Sequence, residues 1–124
     1  MPASTNSPLF IKYWLPVIIY AIIIFSISSI PGKAIPPIFK YQDVVFHFVE
    51  YAFLSVLLNR ALKAVFIPDV KIRRFCWVFI LCLLYALGDE LHQLFVPHRV
   101  ASLYDIATDG LGALVADIIY LWRR

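Results

Sequence analysis

Four long apolar stretches run along the chain, at about Leu9 to Ile30, Val44 to Ile67, Phe75 to Val96 and Val100 to Trp122, with short polar or proline-containing breaks between them. Each is close to the ~20 residues a helix needs to cross a bilayer. Ile30-Pro31-Gly32 and Pro36-Pro37 end the first stretch, Pro68-Asp69 opens a polar basic loop after the second, and Pro97-His98-Arg99 makes a tight turn between the third and fourth. Proline removes a helix donor and clashes with the preceding turn, so these positions are stops. A membrane barrel is excluded, because it needs at least eight segments of about ten residues that alternate in polarity. The pattern predicts an all-α integral membrane four-helix bundle with short loops, one domain over residues 1–124. The first stretch is long enough for a retained anchor, and the Pro- and Ser-containing residues 1–8 are expected to be disordered.

Composition turns four apolar helices into a membrane protein. The chain is 62% hydrophobic and only 15% charged, with a mean hydropathy of +0.83, whereas a soluble domain needs about a quarter of its residues charged to cover its surface. Cys76 and Cys82 fall within one apolar run and are expected to be unpaired thiols, since disulfide and zinc frameworks use other spacings and polar flanks. Of the 11 Lys and Arg residues, only Lys33, Lys40 and Arg99 fall in the first and third loops. The excess of positive charge on cytoplasmic segments then predicts both termini and the middle loop inside, an N-in/C-in topology. A basic loop facing anionic headgroups accounts for the net charge of +3, so membrane lipids are expected partners and nucleic acid is not. Oligomeric state has no signal in the sequence.

Ionisable residues inside a span cost a few kcal/mol each, so their placement is informative. Asp43, His47 and Glu50 open the second span; Asp89, Glu90, His92 and Gln93 close the third; Arg99, Ser102, Asp105 and Asp109 open the fourth. The topology gathers all of them in the outer half. Residues three, four or seven apart share a helix face, which pairs His47 with Glu50, Asp89 with His92 and Tyr85, and Ser102 with Asp105 and Asp109. Asp89, Glu90, His92 and Asp105 are the candidates for acid, base or metal-ligand roles. His47, Glu50, Gln93, Arg99, Ser102 and Asp109 are the candidates for binding. One reading is structural, with Arg99 paired to Asp105 or Asp89 and the network fixing helix register. Three chemistries compete with it: a divalent metal held by His47/Glu50 and Asp89/His92, general acid–base work by crowded carboxylates, and anion capture by Arg99, Lys33 and Lys40, which the excess of acid opposes.

Other residues have plainer expectations. Asp117 pairs with Arg123 or Arg124 or faces the bundle. Gly110, Gly112, Ala113 and Ala116 suit a close helix contact. Asn59-Arg60 and the basic loop read as an interfacial anchor, with Trp14, Trp77 and Trp122 as aromatic belts. Ser26, Ser28 and Ser29 close the first span and either donate to the cluster or bond back to their own helix.

The run Asp89-Glu90-x-His92-Gln93-x-Phe95-x-Pro97-x-Arg99-x-x-Ser102-x-x-Asp105 resembles the signature of the VanZ-like family. Phe25-Ser26-x-Ser28-Ser29-x-Pro31 and Asp43-x-x-x-His47-Phe48-x-x-Tyr51 add to the likeness, which runs from about Trp14 to Leu114. The resemblance implies a multi-pass protein of the bacterial plasma membrane, in a family named after a member associated with low-level resistance to the glycopeptide teicoplanin. It implies no settled reaction. His98 stands where the family often has Gly, Asp109 where it often has Asn, and Val44 where it often has Lys. The expected function is that of a cell-envelope protein that binds, with or without chemically modifying, a lipid or lipid-linked headgroup at the outer face. The rivals are a non-catalytic scaffold or accessory subunit and, with only Asp117 to suggest a path to the cytoplasm, a proton-coupled transporter.

Overall fold

The computed structural model describes residues 6–32, 36–66 and 68–123. Lys33 and Arg124, and residues 1–5 of the leader, lie outside the described residues. Four helices follow in order, α1 (Asn6–Ser28), α2 (Gln42–Val65), α3 (Lys71–Gln93) and α4 (Leu103–Trp122), and the described residues contain no strand. Helix α1 therefore starts three residues earlier than the apolar pattern suggested and takes in Pro8, because proline fits the first turn, where its missing N–H has no partner to lose. Helix α3 likewise starts at Lys71 and absorbs most of the expected basic loop. Lysine and arginine are good helix formers, so polarity there marked the end of an apolar stretch and not the end of a helix.

Helix α2 packs against each of the other three, α4 lies against α2 and α3, and α1 covers α2 with only a narrow edge on α3. The apolar core is built mainly from α2, where Tyr51, Leu54, Leu58 and Ala61 are buried, and from Val78, Cys82 and Ala86 of α3. Helices α2 and α4 meet closely at Gly112, where a Cβ would come 2.2 Å from the carbonyl oxygen of Phe48, while at Gly110 it would meet the Leu83 side chain at 3.0 Å. Small residues let two backbones approach this way, a common device between membrane helices.

The bundle is turned inside out relative to a soluble one. Ile19, Ile22, Phe53, Leu84, Leu91 and Ile119 are exposed, whereas Ser55, Asn59, Asp89, Asp109 and Asp117 are buried. Water would not tolerate so continuous an apolar surface without aggregation, and lipid is its natural solvent. Helices α1, α2 and α3 are each long and apolar enough to cross a bilayer. Helix α4 carries three aspartates, but Asp109 and Asp117 face inward and its outward residues Leu111, Val115, Ile118 and Trp122 are apolar. Three helices thus present lipid with an apolar stripe of their own, and α4 joins them because its partners shelter its carboxylates.

The loop after α1 and the turn after α3 are locked together. The Gly32 N–H donates to the Pro97 carbonyl at 3.2 Å, and a Cβ on Gly32 would lie 2.0 Å from the His98 carbonyl oxygen, so only glycine fits. His98 itself holds φ at 60°. That left-handed conformation suits glycine best, which gives a physical reason for the glycine of the family pattern at this position.

Candidate functional site

At the end of the bundle marked by these two loops, a cleft opens between the C-terminal turn of α1, the N-terminal turns of α2 and the α3–α4 turn. It has two adjoining lobes of about 550 and 270 Å³ that share Asp43, His47, Gln93 and Arg99 on their walls. The wider lobe adds Ser102 and Asp105, and the narrower one adds Glu50 and Asp89 beside an apolar wall of Ile24, Ile27, Ile30 and Phe46. Helical spacing explains the grouping: His47 and Glu50 are one turn apart on α2, and Asp89 and Gln93 one turn apart on α3.

At the floor, His47 Nδ1 lies 2.6 Å from Asp109 Oδ1, with the histidine side chain 12% exposed and the aspartate not at all. At that distance the two groups share one proton. Glu90 comes from the neighbouring helix and takes the Ser102 N–H on Oε2 at 2.9 Å. His47, Glu90 and Asp109 each offer a ligand atom within 4.8 Å of the others. Among the described residues, Asp89 Oδ1, Glu90 Oε1 and Asp109 Oδ2 are buried without a hydrogen-bond partner. Buried polar atoms are rarely left so; Asp69 Oδ1 and Asp117 Oδ2 at the other end are also bare, but only at this end do the bare oxygens lie beside an open cleft.

Several residues that the sequence groups with this cluster are engaged elsewhere. Arg99 pairs with neither Asp105 nor Asp89: its Nε donates to the Ile30 carbonyl at 2.9 Å and its Nη2 to the Ile27 carbonyl at 3.0 Å. It caps α1, whose last carbonyls lack helical partners and carry the negative end of the dipole. His92 shares a face with Asp89 but turns outward, with Nε2 2.8 Å from Ser29 Oγ and its ring stacked on Phe25. It lines neither lobe, so the expected Asp89/His92 ligand pair is not formed. Tyr85 likewise donates to the Ala21 carbonyl. Gln93 Nε2 donates to the buried Ser28 Oγ at 3.0 Å, and Ser102 caps α4 by accepting the Tyr104 N–H at 3.1 Å. Ser26 and Ser29 bond back to carbonyls four residues earlier. Asp105 faces the wider lobe and Glu50 the narrower.

Two features were not anticipated. Gln42, buried at the start of α2, accepts the Ile38 N–H at 2.6 Å and donates to the Pro36 carbonyl at 2.9 Å, holding the loop that rims the cleft. The second corrects the expectation that buried polar groups collect at one end only. At the opposite end Asn59 is 1% and Arg74 2% exposed, so neither is an interfacial anchor. Asn59 Nδ2 donates to Asp117 Oδ1 and to the Ser55 carbonyl, each at 3.0 Å; Arg74 Nε donates to Asn59 Oδ1 at 3.1 Å; and Arg74 Nη1 pairs with Asp69. Asp117 thus faces the bundle. The spacing of Asn59 behind Ser55 on the buried face of α2 is the signal that would have found this network.

A bundle with an apolar exterior and a histidine–carboxylate cleft at one end defines a helical membrane protein with a polar site between its helices. Residues 13–124, which hold every residue of the cleft, match the family model described as VanZ/LLP1, and the chain belongs to that family. No curated protein and no solved structure matches it.

Proposed function

We propose that the protein binds the polar headgroup of a lipid, or of a lipid-linked precursor, at the outer face of a bacterial plasma membrane. The observation that carries this reading is the narrower lobe, where Ile24, Ile27, Ile30 and Phe46 face His47, Glu50 and Asp89 across one cavity. A ligand that satisfies both walls is amphiphilic, and a lipid reaches them sideways because Ile27, Ile30 and Phe46 are exposed at the bundle surface. The charge asymmetry supports the outer location, since Arg60, Lys63, Arg73 and Arg123 lie at the other end. Glu50, Asp89 and Asp105 would orient the headgroup and exchange protons with it, with the His47–Asp109 pair beneath them. Family membership supports a place in the cell envelope and, through the member that gives the family its name, a link to glycopeptide antibiotic resistance.

A scaffold role is favoured by Arg99, His92, Gln93 and Gln42, whose bonds all stay within the protein. It does not explain why Asp89, Glu90 and Asp109 keep bare buried oxygens beside an open cleft. The two readings separate on lipid copurified with the protein in mild detergent and identified by mass spectrometry. The expected result is one lipid class enriched over the membrane average, lost from Glu50→Gln and Asp89→Asn variants that unfold at the wild-type temperature. Folded variants that retain the same lipid would leave the scaffold reading standing. Topology is checked separately by labelling single cysteines placed at His98 and Lys63 from outside intact cells, with only the first expected to react.

A further inference from the structure

We infer that His47, Glu90 and Asp109 form a binding site for one divalent transition-metal ion of the Mn²⁺ or Zn²⁺ type, at the floor of the cleft. The three ligands come from three helices, α2, α3 and α4, and their ligand atoms lie within 4.8 Å of one another. One nitrogen and two carboxylate oxygens suit borderline ions of this kind and leave coordination positions open.

The second observation is the state of the two carboxylates. Glu90 is 3% exposed and Asp109 fully buried, and each spends one oxygen on a protein donor, Glu90 on the Ser102 N–H and Asp109 on His47. Their other oxygens, Glu90 Oε1 and Asp109 Oδ2, are buried with no partner among the described residues. Two acids with bare oxygens in a low-dielectric interior demand positive charge nearby, and one histidine shared between them supplies at most one unit. The guanidinium that could have balanced them, Arg99, is committed to the α1 carbonyls. A divalent cation supplies the missing charge and the missing partners together. His47 Nδ1 and Asp109 Oδ1 already converge to 2.6 Å, so an ion bound here takes the place of the proton they share, as metal binding at protonated ligands does. His47 lines both lobes of the cleft, which gives the ion its entry.

This site stands whether or not the cleft takes a lipid. It also differs from the pairs that helical spacing suggests, since Glu50, Asp89 and His92 are left out and Asp109 joins His47 and Glu90.

The test uses full-length protein purified without a polyhistidine tag, stripped with chelator and titrated with Zn²⁺ and, separately, Mn²⁺. Uptake is read by elemental analysis after desalting and by the Mn²⁺ electron paramagnetic resonance signal. About one equivalent should be retained, and because the ion ties three helices the unfolding temperature should rise by about 5 °C or more at saturation. Glu90→Gln and Asp109→Asn should each weaken binding by more than about tenfold, while His92→Gln should bind as wild type. Folded wild-type protein that takes up neither ion would overturn the proposal, whatever the variants do. So would Glu90→Gln and Asp109→Asn proteins that bind with wild-type affinity, or a loss in His92→Gln as large as in Glu90→Gln.

Discussion

The two ends of the bundle bury polar groups in opposite ways. At the basic end two carboxylates, Asp69 and Asp117, share one permanently charged guanidinium and one amide, and Arg74 and Asn59 link them in a chain from α3 through α2 to α4. At the cleft end Glu50, Asp89, Glu90, Asp105 and Asp109 gather around a single mostly buried histidine. The nearest guanidinium is turned to backbone carbonyls. The first arrangement, although Asp69 Oδ1 and Asp117 Oδ2 are bare, has a guanidinium set between its carboxylates and serves the fold. The second is acid-rich and open to a ligand, which is what function at a site requires and stability alone does not.

The largest expected effect breaks the first network. Arg74→Met takes the partner from the half-buried Asp69 and the neighbouring positive charge from the buried Asn59–Asp117 pair, and removing one partner of a buried pair costs about 3–5 kcal/mol. Thermal unfolding in detergent should show the variant largely unfolded under conditions where wild type is intact. Next comes the frame that both ends share. Gly112→Ala drives a methyl group to within 2.2 Å of the Phe48 carbonyl oxygen, so α2 and α4 must separate at about 1–3 kcal/mol. Folded Gly112→Ala protein of unchanged stability would remove the close α2–α4 contact from the account.

The comparison sharpens with a matched pair of isosteric changes. Asp117→Asn weakens a bond within a network that contains a guanidinium and should lower stability by about 1.5–3 kcal/mol. Glu90→Gln removes one of several crowded negative charges and should leave stability unchanged or raise it, measured in the same chelator-containing buffer. Equal losses from the two substitutions would mean that the ends do not differ as described. The smallest effect is expected at His98→Gly, which relieves the left-handed backbone and should gain about 0.5–1 kcal/mol in the same unfolding assay.

Much of this molecule was readable in advance because lipid imposes a simple rule on sequence. Any stretch that faces acyl chains must be apolar for about 20 residues and must satisfy its own backbone, so the number of helices, the helical class and the conspicuous His47, Asp89 and Asp105 follow from pattern. Boundaries were less legible where the rule is silent, as at Lys71 to Arg74, which are polar and helical at once. Within the cleft, spacing grouped His47 with Glu50, which both line the narrower lobe, and Asp89 with His92. It could not tell that His92 leaves Asp89 for Ser29.

Sequence by itself determined that the chain is a membrane bundle of four helices rich in acid near one end, because hydropathy and turn chemistry act locally, within a few residues. Only the tertiary structure decided which groups meet: Arg99 with the end of α1, Glu90 and Asp109 with His47, and Arg74 with Asp69 and Asn59. Those partnerships span different helices, and they depend on the rotation and depth at which each helix packs. Contacts such as Gly112 on Phe48 set that rotation and depth, and no periodicity along a single helix encodes them.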